Sequence, residues 1–337
     1  MGRKAGKVTL NPLVDGSNPC LARACIANRR RHAAAVKWIA WAFNQTAKFA
    51  EELTESDFRK LETIQLRLLS YVEAQETYRA VIDNYAELEV AMLTIAQDHI
   101  LLGHTSHARA MQQRLLLDRR YANLLSVCRL YLNYASAAAK SLGSETEFIK
   151  ATNVEYDRAL GYRVMEALRN YVQHRGFPLS SIMHNSRAIA DVVEGPCEVC
   201  VIPGLALERL KGDTNFKPSV LAEIEKLGTE PDLRQWTREY LDGIRRCHLT
   251  LISGVEGQID YAIEEYRKAC ERFADRGAQS GTIVRYEQRD AENKVLQRMA
   301  VSPDFLEHLT ALRLESRIRG PIAKLHVTSA LAEKLPR

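Results

Sequence analysis

The reading of this chain turns on the stretch from Thr152-Asn153-Val154-Glu155 to Leu168-Arg169-Asn170-Tyr171-Val172-Gln173-His174-Arg175-Gly176-Phe177-Pro178. Its end is marked twice. Gly176 adopts a left-handed conformation without steric cost, and Pro178 cannot continue a helix because its nitrogen carries no proton. A start is expected at Thr152, whose hydroxyl, with the Glu155 carboxylate three residues on, could satisfy orphan backbone donors reciprocally. Between these points Leu160, Val164 and Leu168 recur at four-residue spacing, the stripe of a helix laid on a core. One helix over 152–175 is therefore expected.

Working back from Thr152, the segment from about Ser106 to Lys140 carries Leu115, Leu116, Tyr121, Leu124, Leu125, Val127, Leu130, Tyr131 and Tyr134. It reads as a helix apolar enough to be buried on both faces. Before it, Thr54-Glu55-Ser56-Asp57 opens a helix that Gly103 closes, long enough to suggest either coiled-coil-like packing or a break. Val36, Ile39, Trp41, Phe43, Phe49 and Leu53 are expected on a further helix over 33–53. Residues 1–31 hold Asn11-Pro12, Asp15-Gly16 and Asn18-Pro19 and read as an irregular basic arm.

Beyond Pro178 the texture changes. Asp191-Val192-Val193 and Glu198-Val199-Cys200-Val201-Ile202 have strand character around Gly195-Pro196, and helices follow at about 218–227, 231–252 and 255–275. A strand is expected at Thr282–Tyr286 and a last helix from Ser302-Pro303. The expected organisation is thus an arm over 1–31, a helical domain over 32–185 and a smaller α+β domain over 186–337. The fold class is mainly α.

Composition narrows the function classes. Of 337 residues, 46% are hydrophobic and 26% charged, enough apolar material for a sizeable core and too much for a disordered chain. The first 40 residues hold eight basic side chains against Asp15, so they carry +7 in a chain whose net charge is +5; such a basic N-terminal stretch suits phosphates or an acidic partner. No stretch approaches the roughly 20 apolar residues of a membrane span. Seven cysteines, an odd number, and a polar start point to reduced thiols and a cytoplasmic location.

Inside the helix ending at Gly176, an arginine and a histidine stand five positions apart with an amide directly after the arginine. Arg169, Asn170 and His174 resemble, position by position, the signature of the HEPN superfamily. A second pair of similar spacing, Arg319 and His326, is followed at once by Gly320-Pro321, which no helix tolerates. The resemblance covers residues 60–185 and implies a helical bundle that dimerises so that the motifs of two copies meet in one ribonuclease site. Asn170 and His174 lie one turn apart on a helix, whereas Arg169 stands about 140° around the axis from His174. A two-fold partner would bring Arg169 of one copy towards His174 of the other.

The chemistry implied is metal-independent RNA cleavage. The nucleophile is the substrate's own 2′-hydroxyl, and the products are a 2′,3′-cyclic phosphate and a 5′-hydroxyl. Histidine, with an ordinary pKa near 6.5, suits proton transfer by His174; Arg169 would hold the phosphate and Asn170 orient either. Tyr171, by stacking on a base, and Arg175, by pairing with a phosphate, are candidate substrate contacts. The resemblance also implies a toxin or antiviral defence effector with a cognate inhibitor or trigger, RNA as partner and no cofactor.

Other constellations carry less. Cys197-Glu198-Val199-Cys200 has the spacing of half a zinc site, but Cys247-His248 are adjacent and poorly spaced as completing ligands, so no metal is expected. His104 and His107 read as capping a helix start. Trp38, Trp41 and Phe43, close behind Arg29-Arg30-Arg31-His32, fit a core better than a nucleic-acid grip. The competing function is a non-catalytic helical scaffold or nucleic-acid-binding regulator.

Overall fold

The computed structural model describes residues 35–43, 48–103, 106–188, 197–227, 232–275, 280–289, 292–315 and 322. The arm over 1–31, Asp191-Val192-Val193, Gly195-Pro196, His104 and the Arg319–His326 pair lie outside them. The described chain is mainly helical, with two small antiparallel sheets.

Helix α1 (Glu55–Leu102) is continuous over 48 residues, about 72 Å at 1.5 Å per residue. Thr54 caps its start, its hydroxyl oxygen accepting from Asp57 N–H at 3.1 Å, and Gly103, at φ 74°, donates to His99 O at its end. Ser106 then caps α2 (His107–Ser141), which folds back against α1; His107 is the first residue of this helix and Ser106 does the capping. The burial of α2 is one-sided, contrary to the expectation of two buried faces. Leu117, Tyr121, Leu124, Cys128, Tyr131 and Ala135 face the core, whereas Leu115, Leu130 and Tyr134 are exposed.

The helix expected over 152–175 is two helices. In α3 (Glu145–Arg158) Thr152 is internal and its hydroxyl donates to Ile149 O at 2.8 Å, so it caps nothing. Ala159 is extended (φ −124°, ψ 129°), and α4 (Leu160–Arg175) leaves in a new direction. The Arg163 guanidinium donates to the carbonyls of Tyr156 and Asp157, satisfying two acceptors that end α3. At its other end α4 stops at Gly176, φ 79°, as expected.

A hairpin of β3 (Leu179–Ala188) and β4 (Cys197–Leu205) follows, then the short α5 (Leu207–Leu210) and α6 (Pro218–Glu225). The two helices expected over 231–275 are a single α7 (Leu233–Ala274), capped by Asp232. Its buried residues, from Trp236 and Tyr240 through Ile244, Leu251 and Ile259 to Phe273, form the centre of the molecule, and α1, α3 and α4 pack around it. The boundary expected near residue 185 falls within β3, and buried residues before and after it belong to one contiguous cluster.

The described residues of 33–53 are not helical. They supply β1 (Ala35–Phe43) and β2 (Lys48–Leu53), which pair with each other; β1 also pairs with β5 (Gly281–Arg289), which pairs with β6 (Glu292–Val301), and helix α8 (Pro303–Glu315) is the last among the described residues. Val36, Trp38, Ile39, Trp41 and Phe43 are β-branched or aromatic and suit a pleated surface. Their partner strand lies more than 200 residues away, from Ala35 opposite Gln288 to Ala42 opposite Gly281.

Two glycines set how closely α4 approaches α7. A Cβ on Gly161 would stand 2.8 Å from Trp236 Cα and 2.9 Å from its carbonyl oxygen; one on Gly243 would meet the Tyr162 ring at 2.5 Å. The Gly161 N–H donates to Glu239 Oε2 at 3.1 Å, fixing the first turn of α4 on α7. Beside this crossing Glu155, buried, takes a two-pronged hydrogen bond from Arg246 at 2.8 and 2.6 Å. Replacement of Gly161 by alanine is expected to cost about 1–3 kcal/mol of unfolding free energy by urea titration, because backbone must move. Gly257→Ala, at an exposed α7 position with open space around it, should add about 0.5–1 kcal/mol.

Buried His248 on α7 stacks on Tyr78 of α1 at 3.7 Å, and its Nδ1 lies 3.1 Å from the Tyr131 hydroxyl of α2. Burial pushes its pKa down to about 3. The unfolded chain therefore takes up a proton near pH 6.5 that the folded chain refuses, so stability is full above that pH and falls below it. His184 is also lowered, first by burial, and acts in the same direction. Urea titrations between pH 7 and 5 should lose about 1.4 kcal/mol per pH unit below 6.5 from this residue, and His248→Leu should flatten that slope.

Candidate functional site

Helix α4 buries Val164, Met165, Ala167, Leu168 and Tyr171, exposes Asn170 and Gln173, and leaves Glu166 half-buried. At 100° per residue these last three form one polar stripe, with Arg169 on one flank and His174 on the other. Asn170 and His174 are exposed, one turn apart, at the end of a helix whose inner face is packed. Arg169 is different. Its side chain is only 14% exposed, its Nη2 lies 3.5 Å from Glu166 Oε2, and its Nε is buried with no hydrogen-bond partner among the described residues. Within one chain, Arg169 and His174 thus flank the stripe and do not converge.

The two candidate substrate contacts already have protein partners. The Tyr171 ring is buried and its hydroxyl donates to Arg209 O at 3.3 Å, an anchor between α4 and α5. Arg175 pairs with Asp213 at 2.9 Å and remains exposed. The Asp213 carboxyl is held below the ordinary carboxylate range, chiefly by the backbone N–H of Asn215 and with help from Arg175. The loop after α5 is thereby tied to the end of α4.

Antiparallel to α4 runs α2, with Tyr121 stacked on Phe177 at 4.7 Å near one end of the pair. Between α2, α3 and the first half of α4 lies a cavity of about 290 Å³. Apolar Leu132, Phe148 and Tyr162 line it together with Arg129, Asn133 and Glu166. Glu166 thus belongs to the cavity wall and touches Arg169; its Oε1 also accepts from the buried Tyr240 hydroxyl at 2.5 Å. Glu166 was not among the residues expected to act. Its signal in the sequence is weak, a carboxylate one turn before Asn170 on the same stripe, and Arg129 and Asn133 come from a helix only the fold brings near.

The Cys197 side chain lies outside the described residues. Cys200 lies on β4, where its sulfur accepts from the Arg234 guanidinium, and Cys247 and His248 are buried in α7. Among the described residues no three His, Cys, Asp or Glu side chains come together, and no helix is long and apolar enough to cross a membrane. No protein-family model matches the chain, and neither curated proteins nor solved structures provide a match.

Gly176, two residues beyond His174, sits at φ 79° and ψ 170° with open space around it. Gly176→Ala should cost about 1–3 kcal/mol through backbone strain alone, read as a lower midpoint in urea. A Gly176→Asn protein with unchanged stability would contradict this account of the helix end.

Proposed function

We propose that this chain is a metal-independent endoribonuclease of the HEPN type, with Arg169, Asn170 and His174 acting across a two-fold interface between copies. The observation that carries the reading is the state of these three residues on α4. Asn170 and His174 are open to solvent at the end of a fixed helix, and the Arg169 guanidinium is nearly buried with its Nε unpaired. A guanidinium held in place by Glu166 beside an open amide and imidazole suits a phosphate.

In this reading Arg169 of one copy holds the non-bridging phosphate oxygens, and Asn170 orients the phosphate. The 2′-hydroxyl attacks phosphorus and loses its proton to solvent. The bond to the 5′-oxygen breaks as His174 donates a proton to it, leaving a 2′,3′-cyclic phosphate and a 5′-hydroxyl. Charge builds on the phosphorane oxygens, and a fixed guanidinium offsets it. The biological setting that accompanies this activity is a toxin or antiviral effector acting on cellular RNA, restrained by an inhibitor or trigger. A scaffold reading has one observation in its favour: Ile100, Leu101 and Leu102 at the tip of α1 are 51%, 71% and 54% exposed, a surface suited to a partner.

Incubation of cellular RNA with purified protein in EDTA is expected to yield cyclic-phosphate ends, and His174→Ala to reduce cleavage about 10²–10⁴-fold with unchanged circular dichroism. Equal cleavage by His174→Ala would remove His174 from the chemistry. RNA left intact by the parent protein, with or without cell extract, would favour the scaffold.

A further inference from the structure

We infer that the cavity between α2, α3 and α4 is a base-recognition pocket that takes a guanine of the RNA next to the scissile phosphate. This rests on the ribonuclease reading, and it adds which nucleotide is held and by what. Position is the first argument. The cavity shares Glu166 with Arg169, so a group seated in it lies one side chain away from the guanidinium assigned to the phosphate. Arg129, at the exposed rim, has no ion pair among the described residues and stands where a neighbouring phosphate would pass.

Shape and chemistry supply the rest. About 290 Å³ is at the small end of the range for ligand sites, the size for one ring system and not for an extended ligand. Its floor is apolar and aromatic, as a base requires, with Phe148 and Tyr162 each 3% exposed. Tyr156 stands edge-on to Tyr162 at 6.5 Å and is held from outside by Lys217, whose ammonium donates to its hydroxyl at 2.7 Å. Asn133 and Asn153 offer amides that donate and accept, and so discriminate little.

Glu166 is the sole carboxylate lining the cavity, and a carboxylate only accepts. Its Oε1 takes one hydrogen bond from Tyr240 and its Oε2 stands 3.5 Å from Arg169 Nη2 in an ion pair, which leaves a lone pair on each. Guanine alone presents two neighbouring donors, N1–H and N2–H, on its pairing edge. Adenine and cytosine set a ring-nitrogen lone pair beside the amino group, which a carboxylate repels, and uracil has a single donor between two carbonyls. The fit is therefore to guanine, and a well-made two-pronged contact discriminates by about 1–3 kcal/mol, or roughly 5–150-fold.

The test is calorimetric binding of guanosine, adenosine, cytidine and uridine 3′-monophosphates to the full chain, alongside sequencing of RNA cleavage ends. Guanosine monophosphate should bind at least about fivefold tighter than the other three. Glu166→Gln should erase that preference, and Asn153→Trp, at an exposed rim position, should block all binding while circular dichroism stays unchanged. Cleavage by the parent should fall beside guanines. RNA cut without base preference, with no selective binding, overturns the pocket and leaves the ribonuclease reading standing. Selective guanylate binding lost in Glu166→Gln, with RNA uncut, upholds the pocket and removes the ribonuclease reading. Equal binding of all four nucleotides, or none, overturns the assignment.

Discussion

Close contact between α4 and α7, with the Trp236 backbone against Gly161 and the Tyr162 ring against Gly243, is the constraint on which the placement of the motif depends. Neither helix can carry a side chain at those points, so the helices approach more closely than side-chain packing would allow. At Ala159, in extended conformation, α3 ends and α4 begins. Glu239 holding the Gly161 N–H and Arg246 holding Glu155 pin the two sides of that corner. With its inner face committed to α7, α4 presents Asn170 and Gln173 outward, while Glu166 on the same stripe is half-buried against Tyr240.

That commitment explains the electrostatics of the polar stripe. Arg169 is drawn partly under it by Glu166, which is itself fixed by the buried Tyr240 hydroxyl of α7. A guanidinium held in this way loses little freedom when it meets a phosphate. His174 lies beyond this network, in the last turn, close to the loop that Arg175 ties to Asp213. Rigid support and an open histidine are what proton transfer to a bound substrate needs.

Features set by chemistry within a few residues were legible in the sequence. Thr54, Gly103 and Gly176 mark helix ends through one hydrogen bond or one φ angle each, and the structure has them there. Elements depending on a distant partner were not. Residues 33–53 show apolar spacing that a helix tolerates, but 35–43 pair with 281–289 and 48–53 pair with 35–43, so these segments are strands. Thr152 and Glu155 had the spacing of a cap, but Glu155 answers to Arg246 and Thr152 to the helix already around it. For the site, Arg169, Asn170 and His174 were visible as a spacing. The cavity was not, since Glu166, Asn133 and Arg129 come from two helices and share no local pattern.

The central claim is that each site is built by two chains, one providing Arg169 and the other His174. It is tested most directly by mixing Arg169→Ala and His174→Ala proteins after unfolding and refolding together, then measuring RNA cleavage. Each alone should be inactive. In a random mixture half the dimers carry one intact site of two, so about a quarter of the parental rate should return. A mixture as inactive as its components, with heterodimers verified by mass spectrometry, would contradict the shared site.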